Sequence, residues 1–190
     1  SIMNGFRTEL INKIVGFNAH VVVKPYDKPI DKNKTNNIEI KKLSSKSIFS
    51  NSGEAVLIDK DYTKGLLLRG YELNDFEKIA IVKDSSFIGN KKLNSKFISI
   101  GKELSFKNNI NIGDKVLIMS PTGVETIIGN LPKQEAYIVD SIFDSGVADF
   151  DLNIAFVNIN DLENLFDLNK TERFLEIYLK DPIDINETKK

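Results

Sequence analysis

Apolar residues Ile2, Phe6, Leu10 and Ile14 recur every four positions, with Met3, Ile11 and Val15 beside them and Gly16 where a left-handed C-terminal cap belongs. That spacing predicts an amphipathic helix over residues 1–16, and with no capping residue ahead of it the helix reads as cut from a longer one. Ala19-His20-Val21-Val22-Val23-Lys24, closed by Pro25, is a β-branched run and predicts a strand. A polar loop over 26–37 then leads to a weak helix at 38–43. Extended chain follows from Ile48-Phe49 to Ala55-Val56-Leu57-Ile58, and short strands are expected at 66–70 and 79–82. Phe97-Ile98-Ser99-Ile100 reads as a strand running into a helical turn at 101–105. Asn111-Ile112-Gly113-Asp114 turns the chain into a strand over 115–119.

The long run 134–143 places Ala136, Ile138 and Ile142 on one face and Tyr137, Val139 and Phe143 on the other, so both faces are expected to be covered. Residues 153–157 form another strand. Asn160, with Glu163 three positions on, resembles a capping box for a helix carrying Leu162, Leu165 and Phe166. Phe174-Leu175-Glu176-Ile177-Tyr178-Leu179 is a last strand, ended by Asp181-Pro182. Each end of the chain supplies a strand-helix-strand unit and the middle is rich in strands. This order predicts an α+β fold of two lobes. Residues 1–60 and 134–182 would build one lobe, 61–133 an inserted β-rich lobe, and 183–190 a frayed tail.

With 190 residues, of which 41% are hydrophobic, the chain can bury a sizeable core. Its formal net charge of -1 and the lack of a dense lysine run argue against nucleic acid as a partner. Cysteine is absent, which excludes disulfides, thiolate catalysis and cysteine-ligated metals. No window reaches the roughly 18–20 consecutive apolar residues of a spanning helix, and no stretch of the sequence reads as the basic and apolar regions of a signal peptide. The only histidine, His20, lies in an apolar run and reads as structural. Asp144, Asp149 and Asp151 crowd a loop with Gly146, but without EF-hand spacing they read as a solvated turn and not a cation site. No phosphate-cradling glycine motif and no nucleophile elbow occurs, so no catalytic, cofactor or metal residue is assigned.

The segment between the strands 115–119 and 134–143 differs in kind. It is far longer than the usual hairpin loop, yet it carries Val124, Ile127, Ile128 and Leu131 between Pro121 and Pro132. Exposed apolar residues on a long arm mark a surface that binds a partner, and the alternative is that they fold back on their own lobe. The two prolines stiffen its exits by fixing φ.

Two stretches carry a family resemblance. Met3-Asn4-Gly5-Phe6-Arg7, with Glu9-Leu10 and Ile14-Val15-Gly16, resembles the segment after the first transmembrane helix of the LolC/LolE permeases of the bacterial lipoprotein-releasing ABC transporter. Gly129-Asn130-Leu131-Pro132-Lys133-Gln134 is similar to the arm of LolC, called the hook, which grips the periplasmic lipoprotein carrier LolA. Asn130 stands where that hook carries a basic residue. The stretch 153–165 also resembles the family.

The resemblance implies a Porter-like α+β lobe from both chain ends and an inserted Sabre-like β-rich lobe, as in MacB-type permeases. It implies an extracytoplasmic domain at the periplasmic face of the bacterial inner membrane, without cofactor or catalysis. Its partners would be a LolA-like carrier, a lipoprotein, a separate LolD-like ATPase and a second permease copy or paralogue. The carrier-binding residues would be Pro121, Val124, Ile127, Ile128, Gly129, Asn130, Leu131, Pro132 and Lys133. Two other classes stay open at this point. One is a MacB-type or FtsX-type domain serving efflux or cell-wall hydrolase control. The other is a soluble enzyme of unrelated fold, which a pocket with convergent polar groups would support.

Overall fold

The computed structural model describes residues 21–25 and 44–179. The helices expected at 1–16 and 38–43, His20 and the tail at 183–190 lie outside the described residues. In chain order the elements are β1 (Val21–Val23), β2 (Ser44–Asp59), β3 (Tyr62–Tyr71), a 3-10 turn (Phe76–Lys78), α1 (Ala80–Lys83), β4 (Ile88–Gly89), β5 (Phe97–Gly101), α2 (Lys102–Asn108), β6 (Lys115–Thr126), β7 (Gly129–Phe143), α3 (Ala148–Asn153), β8 (Ile154–Asn158), α4 (Ile159–Phe166), a second 3-10 turn (Lys170–Glu172) and β9 (Phe174–Leu179). The fold is mixed α+β and dominated by strands.

The chain divides into two units, one from 1–50 and 169–190, the other from 51–168. In the first, β9 runs antiparallel between β1 and the opening half of β2. Register pairs Val23 and Phe49 with Leu175, and these side chains pack with Ile177 on one face. Glu176 projects to the other, where it is buried and accepts from the Tyr178 hydroxyl at 3.4 Å.

The second unit is a closed barrel. The rest of β2 neighbours β3, which pairs with β8, then β5, β7 and β6, and β6 returns to β2 through Val56↔Met119 to Ile58↔Leu117. The pairs β3/β8 and β5/β7 are parallel. Alternation explains the interior, because every second side chain of a strand shares a face. Two residues per strand point inward: Ala55 and Leu57, Leu66 and Leu68, Ile98 and Ile100, Val116 and Ile118, Tyr137 and Val139, Ala155 and Val157. Leu104 from α2, Ile110, and Leu162 and Leu165 from α4 complete the same cluster.

A second apolar layer lies outside this ring. Phe156, between the inward Ala155 and Val157, must face out, and its ring lies 5.1 Å from Phe143, 5.4 Å from Phe76 and 6.0 Å from Tyr71, centre to centre. Phe150 from α3 and Phe87 extend the layer at 6.0 Å from Phe143 and Phe76 respectively. Strand β8 is thus buried on both faces, and all five of its residues are inaccessible.

Four expectations are corrected. The strand expected at 79–82 is instead the helical turn α1, with Ile79 as its extended N-cap: the Ile79 carbonyl accepts from the amides of Val82 and Lys83, and a run of four apolar residues carries too little periodicity to separate strand from helix. The N-cap of α4 is Asn158, which accepts from the amide of Asn160, and a capping box is formed instead by Asn169 with Glu172 at the second 3-10 turn. The second unit runs over 51–168 and not 61–133, because β7, β8 and α4 complete the barrel and its plug instead of joining the chain ends.

The fourth concerns β7. Val139 pairs with Ile98 but Ser141 pairs with Ser99, so Asp140 is an extra residue opposite none. Beyond it the faces exchange: Tyr137 and Val139 point into the barrel, whereas Phe143 joins the outer aromatic layer and Ile142 packs inward. The bulge leaves Asp140 with one carboxylate oxygen, Oδ1, buried and without a hydrogen-bond partner, and its other oxygen 3.4 Å from the Asn90 amide nitrogen. Burial is the main cause that pushes its pKa up, and the Asn90 bond opposes it only in part. An acid whose folded pKa is raised contributes stability below its unfolded value and loses it as pH rises through the folded one. Asp140→Asn removes that loss. The variant should therefore gain stability over the parent progressively from about pH 4 toward neutrality, measured as the difference in urea midpoints. A difference that shrinks as pH rises would contradict this assignment.

Candidate partner-binding arm

β6 and β7 remain paired well beyond the barrel. Their register runs from Lys115↔Ile138 to Ser120↔Lys133, breaks, and resumes as Val124↔Leu131, Glu125↔Asn130 and Thr126↔Gly129. The long loop expected between 119 and 134 is therefore two strands with a two-residue turn, Ile127-Ile128, at the end. Neither isoleucine has a positive φ; Gly129, at φ +112, takes the conformation that a side chain would resist. Thr126 Oγ1 donates to the Gly129 carbonyl and closes the turn.

At the break, β6 advances four residues, Ser120 to Val124, while β7 retreats two, Lys133 to Leu131. Pro121 and Pro132 both fall within this interval, where no ladder bond asks for the amide proton that proline lacks. Gly123 makes the crossing possible: its φ is +63, and a Cβ built there would lie 1.8 Å from the Leu131 carbonyl oxygen. Its amide donates to Ser120 Oγ at 3.4 Å.

The residues singled out from the sequence thus separate by position. Ile127 and Ile128 sit together at the turn, 105% and 84% exposed, and Leu131 is 48% exposed. Gly129 and Asn130 are exposed beside them, with Val124 paired to Leu131 through its backbone. Pro121 and Pro132 are exposed at the base. Lys133 is half-buried there, and its Nζ donates to the Asn164 carbonyl at 2.8 Å. Beyond the break the arm carries one charged side chain, Glu125.

Asp144, Asp149 and Asp151 do not share the solvated turn expected of them: Asp149 and Asp151 lie on α3, Asp151 is buried, and the carboxylates of Asp144 and Asp151 bind backbone amides. Asp144 accepts from the Gly146 amide at 3.0 Å and pairs with Lys102 at 3.2 Å, which hold its carboxyl below the usual range. Asp151, nearly inaccessible, takes the Ser145 amide on both oxygens at 2.9 and 3.2 Å, and burial pushes its pKa up. Among the described residues no group of three potential ligands could hold a metal ion.

One exposed apolar feature went unread in the sequence. Phe106 is 85% exposed and Ile88 59% exposed, beside a groove of about 490 Å³ that Lys102, Ile142 and Asp144 also line. The signal was present: Leu104 is buried, and a residue two positions further along a helix cannot face the same way.

No family model matches the chain. In fold it is similar to the periplasmic region of MacB from Actinobacillus actinomycetemcomitans, with a TM-score of 0.51 at 9% identity over 95% of this chain and 84% of that one. At that identity the likeness is one of fold alone. In sequence it is similar to proteins named lipoprotein-releasing system transmembrane protein LolC. With that of Xylella fastidiosa it shares 21% identity over 169 residues, 87% of this chain and 41% of the relative. With that of Neisseria meningitidis serogroup B it shares 25% over 189 residues, 96% and 45% respectively. The chain spans less than half the length of these curated relatives. The homologues it matches are named LolC, and its fold is similar to that of the periplasmic region of MacB.

Proposed function

We propose that this chain is the extracytoplasmic domain of an ABC-transporter permease that helps extract lipoproteins from the inner membrane and hands them to a periplasmic carrier. The observation that carries the reading is the arm: a two-stranded hairpin ending in two solvated isoleucines, in a chain whose relatives are named for lipoprotein release. Apolar surface held in water recovers free energy only by burial in a partner, at about 25 cal/mol per Å² before association losses. On this reading the residues from Pro121 to Lys133 form a hook for a LolA-like carrier. The unit from the chain ends corresponds to the Porter-like lobe, and the barrel to the Sabre-like lobe. The domain recognises and transmits; a LolD-like subunit hydrolyses ATP, and a second permease copy or paralogue completes the transporter.

Titration of the purified domain with the LolA-like carrier of the same organism tests this, read by calorimetry. Saturable one-to-one binding with a negative heat-capacity change is the expected result, since apolar burial lowers heat capacity. Absence of binding at carrier concentrations of about 1 mM would refute it.

A further inference from the structure

The arm leaves the barrel through a gap in its own ladder. In an unbroken hairpin the cross-strand hydrogen bonds fix the direction of the strands. Between Ser120↔Lys133 and Val124↔Leu131 that ladder is missing, and neither Pro121 nor Pro132 has an amide proton to restore it. The contacts of Gly123 with Leu131, and of Ser120 Oγ with Thr122 Oγ1 at 3.3 Å and the Gly123 amide at 3.4 Å, all stay within the hairpin. The bond from Lys133 Nζ to the Asn164 carbonyl, at 2.8 Å, reaches out of it to another element.

The far end of that bond is well anchored. The amides of Asp167 and Leu168 both donate to the Glu163 carbonyl, so the next carbonyl, that of Asn164, is left over at the helix terminus. A lysine there satisfies it and meets the negative end of the helix dipole. Helix α4 is itself fixed to the barrel: Leu162 and Leu165 lie in the core, and Asp161 accepts from the Ser95 hydroxyl at 2.9 Å and the Lys96 amide at 2.7 Å.

We propose that Lys133 is a positioning residue, whose ammonium straps the base of the arm to the C-terminal end of α4 and so sets the angle at which the Ile127-Ile128 tip leaves the barrel. Lys133 was singled out from the sequence as one of the residues of the hook; within the hook its side chain acts through the direction of the arm. A hydrogen bond at the surface adds little to overall stability. At a joint without ladder bonds, the same bond chooses among orientations.

The chain has no cysteine, so a pair of introduced ones carries spin labels without background. Glu125→Cys marks the arm and Lys107→Cys marks α2, both at exposed positions, and electron–electron resonance reads the distance distribution between them. A single narrow distribution is expected with Lys133 present. Lys133→Met should broaden it at least about twofold while the melting temperature moves by no more than about 2 °C, and Lys133→Arg, which can donate to the same carbonyl, should keep it narrow. An unchanged width in the methionine variant overturns the proposal. Equal broadening in both variants overturns it as well. No partner enters the measurement, so its failure is separable from failure of the carrier reading.

Discussion

Truncation of Phe156 to alanine is expected to lower the free energy of unfolding by about 3–5 kcal/mol, a large share of the 5–15 kcal/mol typical of a whole domain. The side chain is fully inaccessible and touches rings from three separate parts of the barrel unit, at 5.1, 5.4 and 6.0 Å. Its neighbours Ala155 and Val157 line the interior, so the strand cannot shift to fill the space without spoiling the core on its other side. Urea unfolding followed by near-ultraviolet circular dichroism measures the loss, with Phe106→Ala as a control on an 85% exposed ring that should cost under about 0.5 kcal/mol. If both substitutions cost the same, the aromatic layer is not a packed one.

Replacing Ile127 and Ile128 together with serine is expected to weaken binding of the LolA-like carrier by at least about tenfold, or 1.4 kcal/mol, with the melting temperature nearly unchanged. Both side chains are already solvated in the free domain, so the folded state has nothing to lose when they become polar. The complex loses the desolvation of two branched aliphatic groups. The strands of the arm are held by backbone pairs and by Gly129, which the substitutions leave in place. A sharply lowered melting temperature with intact carrier affinity would assign these residues to a core and remove the arm from recognition.

The strands at 66–70, 97–100 and 115–119 were legible as short apolar runs bounded by turn residues, but only Ile98-Ser99-Ile100 alternates; Leu66-Leu67-Leu68 and Val116-Leu117-Ile118 are apolar throughout and do not reveal which face lines the core. Which strand lies beside which was not legible. The parallel joins of β3 with β8 and of β5 with β7 connect remote segments, and no local pattern records them. The Asp140 bulge was equally silent, since nothing in Val139-Asp140-Ser141 distinguishes an extra residue from a paired one until Ile98 and Ser99 are set opposite. The division of the chain was misread for the same reason, for β7 and β8 look like any strand until the ring they complete is seen.

At the arm, Val124, Ile127, Ile128 and Leu131 stood out as apolar residues between two prolines, to be read as a partner surface or as folded back on their own lobe, and Ile127, Ile128 and Leu131 are exposed. Lys133 could not be read, because its partner Asn164 is 31 positions away on an element with its own reason to exist.

Closure of the ring also has a bearing on time. The hairpins β2/β3 and β6/β7 join neighbours in the chain, and such pairs form within about 1–10 μs. Strand β8 bridges β3 and β5, pairing Leu67 with Ile154 and Ile100 with Ala155, and it is made after every other strand of the ring. Its loop-closure entropy must be met before any of its contacts exist. Until those five residues emerge and dock, the nascent sheet is an open ribbon with two unpaired edges, showing one apolar face where Ala155 and Val157 belong and another where Phe156 belongs. The last-made strand of the barrel is thus the one that ends its exposure to wrong partners, and slow arrival of β8 is the interval in which this unit is vulnerable.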